Sequence, residues 1–209
     1  IALTDSAQAQ KYNLNYNSDY YQAVQTYFKE YREHPAVKEY EKIRAEYSYS
    51  NPRMLFTYEF DENKVTASEV YNFKEDREDA DAYAKLLTDF AQKSNFNQFY
   101  DQHKTYYQQK IKEFKKYTNL KRSWQWLEEN YPVSYDSYKV ILSPIVFGSH
   151  NTQRFGDSED DYNEIVMFVS PAELFTRRDI ESEALISALT ERMVFTEIDH
   201  NYVNPVTDQ

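Results

Sequence analysis

Glycine is almost absent from this chain, which contains 2 glycines in 209 residues. Glycine is the residue that adopts a positive φ angle without steric cost, so turns that need this geometry must be few or must use Asn and Asp. Large aromatic residues are abundant by contrast, with 21 Tyr and 13 Phe. This balance favours long helices over an all-β fold.

The chain is long enough to bury a full hydrophobic core. No internal repeat, low-complexity tract or linker divides it. We therefore predict an N-terminal arm at residues 1–18, which are polar and without periodicity, and a single domain at residues 19–209. Within that domain we predict a helical part at residues 19–131 and, at residues 132–209, the strands and a last helix.

The charge balance narrows the range of partners, with 24 basic against 35 acidic residues and a formal net charge of −11. Such a charge repels phosphate backbones and anionic membranes, so nucleic acid is not an expected partner. No apolar run approaches the roughly 18 residues that a membrane-spanning helix needs, so we expect no membrane span in this chain. The absence of cysteine excludes disulfides and thiolate metal sites.

Apolar patterns predict helices first and strands later in the chain. Helical periodicity covers residues 77–93 and 96–117. His103 lies on the aromatic stripe of the second of these helices, where a hydrogen-bonded core histidine is favoured over a metal ligand. Two near-continuous apolar runs, residues 138–147 and 164–169, suit buried strands.

A last long helix is predicted at residues 180–201, and the loop at residues 148–163 lies between the two apolar runs. That loop holds both glycines, His150 and an acidic cluster, which is typical of a functional loop. The helix has a broad apolar stripe, which indicates a buried position: Ala184, Leu185, Ala188, Leu189, Val194 and Phe195. The predicted fold class is α+β, mainly helical, with a small sheet packed on this buried helix.

The last helix also carries a chemical motif, because Thr196, Glu197 and His200 form the pattern T-E-x-x-H. Residues three and four apart on a helix project from one face. The pattern is that of the zinc-protease helix H-E-x-x-H with Thr in place of the first His. In the intact motif two imidazoles hold Zn²⁺, and the glutamate takes a proton from the metal-bound water. The alternative is that Glu197 and His200 are ordinary polar residues near a helix C-terminus.

The sequence after His200 resembles a known family. An H-E-x-x-H-like helix followed by [FY]-V-N-P is found in a zincin-like domain-of-unknown-function family of secreted and envelope bacterial proteins, which this chain resembles. The residues that carry the resemblance are Phe195, Thr196, Glu197, Ile198, Asp199, His200, Tyr202, Val203, Asn204 and Pro205. Weaker similarity is present upstream, at residues 34–37, 95–100, 103, 106–107 and 140–148.

The resemblance implies a metallopeptidase-like fold and an extracytoplasmic location, in the periplasm, in the cell envelope or outside the cell. It also marks Thr196, Asp199 and Asn204 as positions associated with the motif. The family's activity is inferred from its motif, so the fold is implied more firmly than peptidase activity. The sequence therefore leaves open whether this chain is an enzyme.

A first hypothesis is a metal-dependent hydrolase. In it Glu197 polarises a metal-bound water, His200 and His150 are metal ligands, and Tyr202 is an electrophilic hydrogen-bond donor. His150 is included because the glycine-bearing loop should approach the motif helix. A di-iron site is a further use of E-x-x-H, but it needs a second such pair, which this sequence does not contain.

A second hypothesis is a catalytically inactive zincin-like module that binds a peptide or a glycan, with Glu197 and His200 paired to each other or to backbone. The ligand count supports it, because Thr196 is a poor donor to zinc. One imidazole and one carboxylate leave Zn²⁺ two positions short of a tetrahedral shell, so we expect zinc to bind weakly or not at all.

Overall fold

The computed structural model describes residue 3 and residues 18–46, 58–68, 77–145, 150–155, 162–169 and 182–207. These residues form a mainly helical α+β fold, as predicted. The elements are α1 (Asp19–Phe28), a 3-10 turn (Lys29–Tyr31), α2 (Pro35–Glu46), β1 (Tyr58–Asp61), β2 (Lys64–Ala67), α3 (Arg77–Lys93), α4 (Phe96–Gln102), α5 (Lys104–Tyr117), α6 (Leu120–Asn130), β3 (Ser137–Leu142), β4 (Asn151–Phe155), β5 (Glu164–Val169) and α7 (Glu183–Thr207).

Contacts divide the chain into two compact units, Ile1–Thr105 and Tyr106–Gln209. The sequence predicts the change from a helical part to the strands at residue 132. Phe114 of α5 and Leu127 of α6 are buried in the same core as the strands, so these two helices pack within the unit that contains the sheet.

The first unit is built on aromatic packing. The Phe99 ring lies 4.9 Å from that of Phe28 and 5.0 Å from that of Tyr27, centroid to centroid. Strands β1 and β2 form an antiparallel hairpin in this unit. The residues predicted as one helix at 96–117 are two helices here, and they are interrupted at His103, which has φ −106° and ψ 5°.

The second unit is organised around β5, the central strand of a sheet with the order β3-β5-β4. Strand β3 pairs with it in parallel and β4 pairs with it antiparallel. Every residue of β5 is buried, which confirms the prediction of a buried strand at residues 164–169. Strand β3 occupies only part of the predicted run at 138–147, and residues 146–149 lie outside the described residues.

Strand β4 lies in the segment that the sequence predicted as a loop. Its residues, Asn151–Phe155, are mostly polar and carry no apolar run. A strand of this composition depends on pairing with β5, so tertiary structure decides it rather than its own sequence. The acidic cluster of the predicted loop, within residues 157–161, lies outside the described residues. Of the predicted arm, the structure describes only Leu3 and Ser18.

Helix α7 confirms the last predicted helix, but the predicted buried face is wrong over its first turns. Ala184, Leu185 and Ala188 are exposed, with Leu185 at 49 % of its full accessibility. The buried residues begin later and include polar ones: Thr190, Val194, Ile198, Asn201 and Tyr202. The core partners of this helix therefore cover it from Thr190 onward, the part that contains the motif.

Helix α7 continues through Pro205 rather than ending near residue 201. Proline has no N–H, so the carbonyl of Asn201, four residues earlier, loses its helical hydrogen bond. The Tyr135 hydroxyl donates to that carbonyl instead, at 2.7 Å. The helix can thus continue past the proline without leaving a buried carbonyl unbonded.

Candidate functional site

The motif residues occupy one side of the second half of α7. Glu197 is half-buried and His200, three residues later, is exposed. Side chains at this spacing lie on adjacent turns of the same helix face. The carboxylate and the imidazole are therefore neighbours at the boundary between the core and solvent.

Burial raises the pKa of the Glu197 carboxyl above its ordinary value. The positive charges of His150 and His200 act in the opposite direction, and the charge of Asp199 adds to the effect of burial. Both imidazoles thus lie within electrostatic reach of this carboxylate. A carboxyl group shifted by burial beside specific charged partners is a candidate for a functional site.

His150 directly precedes β4, the strand that contacts α7. The Asn201 side-chain amide donates to the Thr152 hydroxyl at 2.8 Å, which ties β4 to α7. Alternate residues of a strand share a face, and residues four apart share a helix face. Glu197 therefore lies one helical turn before this contact, and His150 lies two residues before it along the chain that leads into β4.

Asn201 is a residue of this region that the sequence interpretation did not single out. It is 3 % exposed, and its amide also reaches the carbonyls of Glu197 and Ile198, each at 3.2 Å. A buried asparagine must satisfy its amide inside the protein. Its place directly after the T-E-x-x-H pattern is the only signal in the sequence that could have drawn attention to it.

Thr196 is exposed, and its hydroxyl donates to the Arg192 carbonyl one turn earlier in the helix, at 2.8 Å. Such a bond from Thr to the preceding turn is common inside helices. The hydroxyl that replaces the first histidine of the motif is thereby engaged with its own helix backbone.

The other motif-associated residues lie close by. Burial raises the pKa of the Asp199 carboxyl, while the charge of His200 and a hydrogen bond from the His200 backbone N–H lower it. Asn204 is exposed, and its carbonyl accepts from the Thr207 hydroxyl at 3.4 Å. Asp199 thus adds a second carboxyl group beside His200.

Tyr202 lies in the core and is fully buried. Its hydroxyl is hydrogen-bonded to that of Tyr138 at 2.5 Å, and burial raises its pKa to about 12. Five residues on a helix correspond to a rotation of about 140°, so Tyr202 points well away from Glu197. The charges of His150 and His200 thus act on Glu197, whereas Tyr202 lies in the buried core.

A zinc site needs at least three protein ligands within coordination distance. No group of three His, Cys, Asp or Glu side chains that could hold a metal ion occurs in the part of the chain that the structure describes. The charges of His150 and His200 act on Glu197, and weak or absent zinc binding stays a prediction. Asp208, the only carboxylate after His200, lies outside them.

The remaining two histidines are engaged in packing and hydrogen bonds. His103 Nδ1 lies 2.8 Å from the Phe99 carbonyl, and its ring lies 4.1 Å from the Phe99 ring. This supports the interpretation of His103 as a core residue. His34 is buried and contacts Asp89 through Nε2 at 3.0 Å.

Comparison with protein families gives a match that covers residues 2–209 and carries the description Domain of unknown function (DUF4932). The chain belongs to this family. The match confirms the resemblance to a domain-of-unknown-function family, while the zincin-like nature of DUF4932 in this chain stays a prediction. No curated protein and no solved structure matches the chain. No helix among the described residues is long and apolar enough to cross a membrane.

Proposed function

We propose that this DUF4932 chain is a metallopeptidase-like protein whose motif site, formed by Glu197, His200 and His150, binds a peptide without a catalytic zinc ion. The observation that carries this proposal is the hydrogen bonding of the Thr196 hydroxyl. Its hydroxyl is exposed and bonded to the Arg192 carbonyl, so the position of the first imidazole of the motif offers no metal ligand.

The proposed site suits the polar groups of a peptide. Glu197 accepts hydrogen bonds from amide or ammonium groups, and the imidazoles of His150 and His200 donate to a carbonyl or a carboxylate. The chain's net charge of −11 opposes an acidic glycan. A peptide is therefore the ligand class that we favour, and a neutral glycan is the alternative. The family resemblance adds to this choice, and it is also the basis for proposing an extracytoplasmic location.

A second candidate is a metal-dependent hydrolase, and one observation favours it. His150 and His200 both lie within electrostatic reach of Glu197, so the types of side chain that hold zinc in hydrolases are gathered at one place. In this alternative Glu197 takes the proton of the attacking water. A ligand from outside the described residues would have to join them.

The test is to screen the purified protein against a peptide library and a glycan array, with and without added zinc. We expect peptide binding that needs no zinc and that weakens about tenfold or more in Glu197→Gln, because a hydrogen bond to a charged group is lost. Glu129→Gln, at an exposed glutamate of α6, is the matched control and should bind as the wild type does. Equal binding by both variants would overturn the proposal.

Cleavage of the bound peptides separates the two candidates. The binding proposal predicts no cleavage at any zinc concentration. Zinc-dependent cleavage that stops in Glu197→Gln and in the presence of a chelator would instead establish the hydrolase. Binding to glycans alone would replace the peptide by the alternative ligand.

A further inference from the structure

We propose that Asn201 is a positioning residue of the motif site, and that its hydrogen bond to Thr152 holds His150 beside Glu197. The inference rests on the proposed function only in treating Glu197, His150 and His200 as one site. It does not depend on which ligand binds there or on whether zinc does.

The first step is the bonding of the Asn201 amide. A side-chain NH₂ group has two hydrogens. One is directed at the Thr152 hydroxyl, at 2.8 Å. The other is shared between the carbonyls of Glu197 and Ile198, each at 3.2 Å. The same amide therefore contacts β4 and the turn of α7 that bears Glu197.

The second step concerns the backbone of Asn201. Its backbone carbonyl cannot accept a hydrogen bond from residue 205, because Pro205 has no N–H. That carbonyl accepts from the Tyr135 hydroxyl at 2.7 Å. The Arg154 side chain, also on β4, forms a hydrogen bond with Tyr135 that lowers the Tyr135 pKa, although burial raises it more. The side-chain NH₂ group of Asn201 is thus linked to β4 directly, and its backbone carbonyl is linked to β4 through Tyr135.

The third step is the consequence for His150. This residue stands directly before β4, two residues from Thr152, so a shift of β4 along α7 would carry His150 with it. Glu197 is on the same face of α7 as Asn201. Because its environment is half-buried, the interaction between its carboxylate and an imidazole is less screened than at the surface and depends strongly on distance.

The experiment uses imidazole ¹H–¹⁵N NMR spectra of the full chain, which contains 4 histidines. Glu197→Gln is introduced into the wild type, into Thr152→Val and into Thr152→Ser. We expect Glu197→Gln to shift the His150 resonances in the wild type and in Thr152→Ser, which keeps the hydroxyl. We expect the shift to be lost in Thr152→Val, which removes the hydroxyl at nearly constant shape. His34 and His103 should not respond in any background.

Thr190→Val is the matched control, because Thr190 is buried on α7 and its hydroxyl bonds the Ile186 carbonyl of the same helix. It should leave the coupling of His150 and Glu197 intact. Asn201→Leu, if it folds, should behave as Thr152→Val does. Coupling that persists in a folded Thr152→Val protein would overturn the inference, and so would the absence of coupling in the wild type. Neither result bears on whether a peptide binds.

Discussion

The four histidines divide evenly between the two compact units and have different environments there. In the first unit the His34 ring accepts from the Ala36 backbone N–H at 3.2 Å and contacts Asp89 at 3.0 Å, while His103 bonds the Phe99 carbonyl. In the second unit the charges of His150 and His200 act on Glu197. Histidine in a helical protein is therefore not a functional signal by itself. A half-buried carboxyl group whose pKa burial raises, and on which the charges of two imidazoles act, is a candidate for a functional site.

The two units also differ in their glycine content. Both glycines of the chain, Gly148 and Gly156, belong to the second unit. The first unit has none, and among its described residues Glu62 and Asn95 adopt positive φ angles, 51° and 50°. Asn95 follows the prediction that Asn would replace Gly in such turns. Glu62 departs from it, since glutamate is not a favoured residue in this region.

The largest expected effect tests whether the histidines of the first unit are structural. His34→Ala removes a ring that is 8 % exposed and that bonds a backbone N–H in the first turn of α2. We expect a loss of about 2 kcal/mol in the free energy of unfolding, from the lost helix cap and the lost packing. Urea unfolding of the variant measures it.

The matched variant for this prediction is His200→Ala, in which an exposed histidine of the second unit is removed. We expect its free energy of unfolding to stay within about 0.5 kcal/mol of the wild type. Equal losses in His34→Ala and His200→Ala would mean that the two units do not use histidine differently.

The next effect concerns the proline in α7. Tyr135→Phe leaves the buried Asn201 carbonyl without its donor, and we expect a loss of about 1 to 2 kcal/mol in the free energy of unfolding. Pro205→Ala supplies the missing helical N–H, so the same Tyr135→Phe change should cost less in that background. Thermal or urea unfolding of the four proteins gives this coupling.

The control is Tyr131→Phe, because the Tyr131 ring lies 6.2 Å from that of Tyr202 and its hydroxyl has no hydrogen-bond partner among the described residues. It should change the free energy of unfolding by less than about 0.5 kcal/mol. Additive effects of Tyr135→Phe and Pro205→Ala would contradict our account of how the helix passes the proline.

The smallest expected effect concerns the positive φ angle of Glu62 in the unit that has no glycine. Glu62→Gly relieves a left-handed glutamate, although it also makes the unfolded chain more flexible, so we expect a net gain of about 0.5 kcal/mol. Asp61→Gly, at the neighbouring strand residue, should destabilise by about 0.5 to 1 kcal/mol. Differential scanning calorimetry of both variants decides between these signs, and a loss of stability in Glu62→Gly would show that its φ angle stores no strain.

Part of the fold could be predicted because some segments carry a strong pattern of their own. The residues of β5 are apolar, and three of them are β-branched. The one exception is Glu164, which is buried and accepts a hydrogen bond from Ser137. The presence of α7 likewise follows from its sequence, although its end does not, because the helix continues past Pro205. Strand β4 and the buried face of α7 could not be predicted, because they depend on contacts between distant segments, such as that of Asn201 with Thr152.

The candidate site was predictable to a similar extent. Glu197 and His200 follow from helical spacing alone. The position of its loop predicts that His150 joins them, and the charge of His150 acts on Glu197, but the convergence of the three stays a prediction. Tyr202 is predicted as a hydrogen-bond donor of the site, but its side chain lies in the core, where it bonds Tyr138. Proximity in sequence does not give the side of a helix on which a residue lies.

The most direct test of the account is isothermal titration of Zn²⁺ into the wild type and into Thr196→His. Thr196 is exposed and lies one turn before His200 on the same helix face, so the variant restores the missing imidazole without disturbing the core. We predict weak or no zinc binding by the wild type and markedly tighter binding by Thr196→His. Tight, stoichiometric zinc in the wild type would contradict the account, because ligands other than Thr196 would then complete a metal site. No gain in Thr196→His would equally contradict it, since the helix would then lack the geometry of a zinc motif.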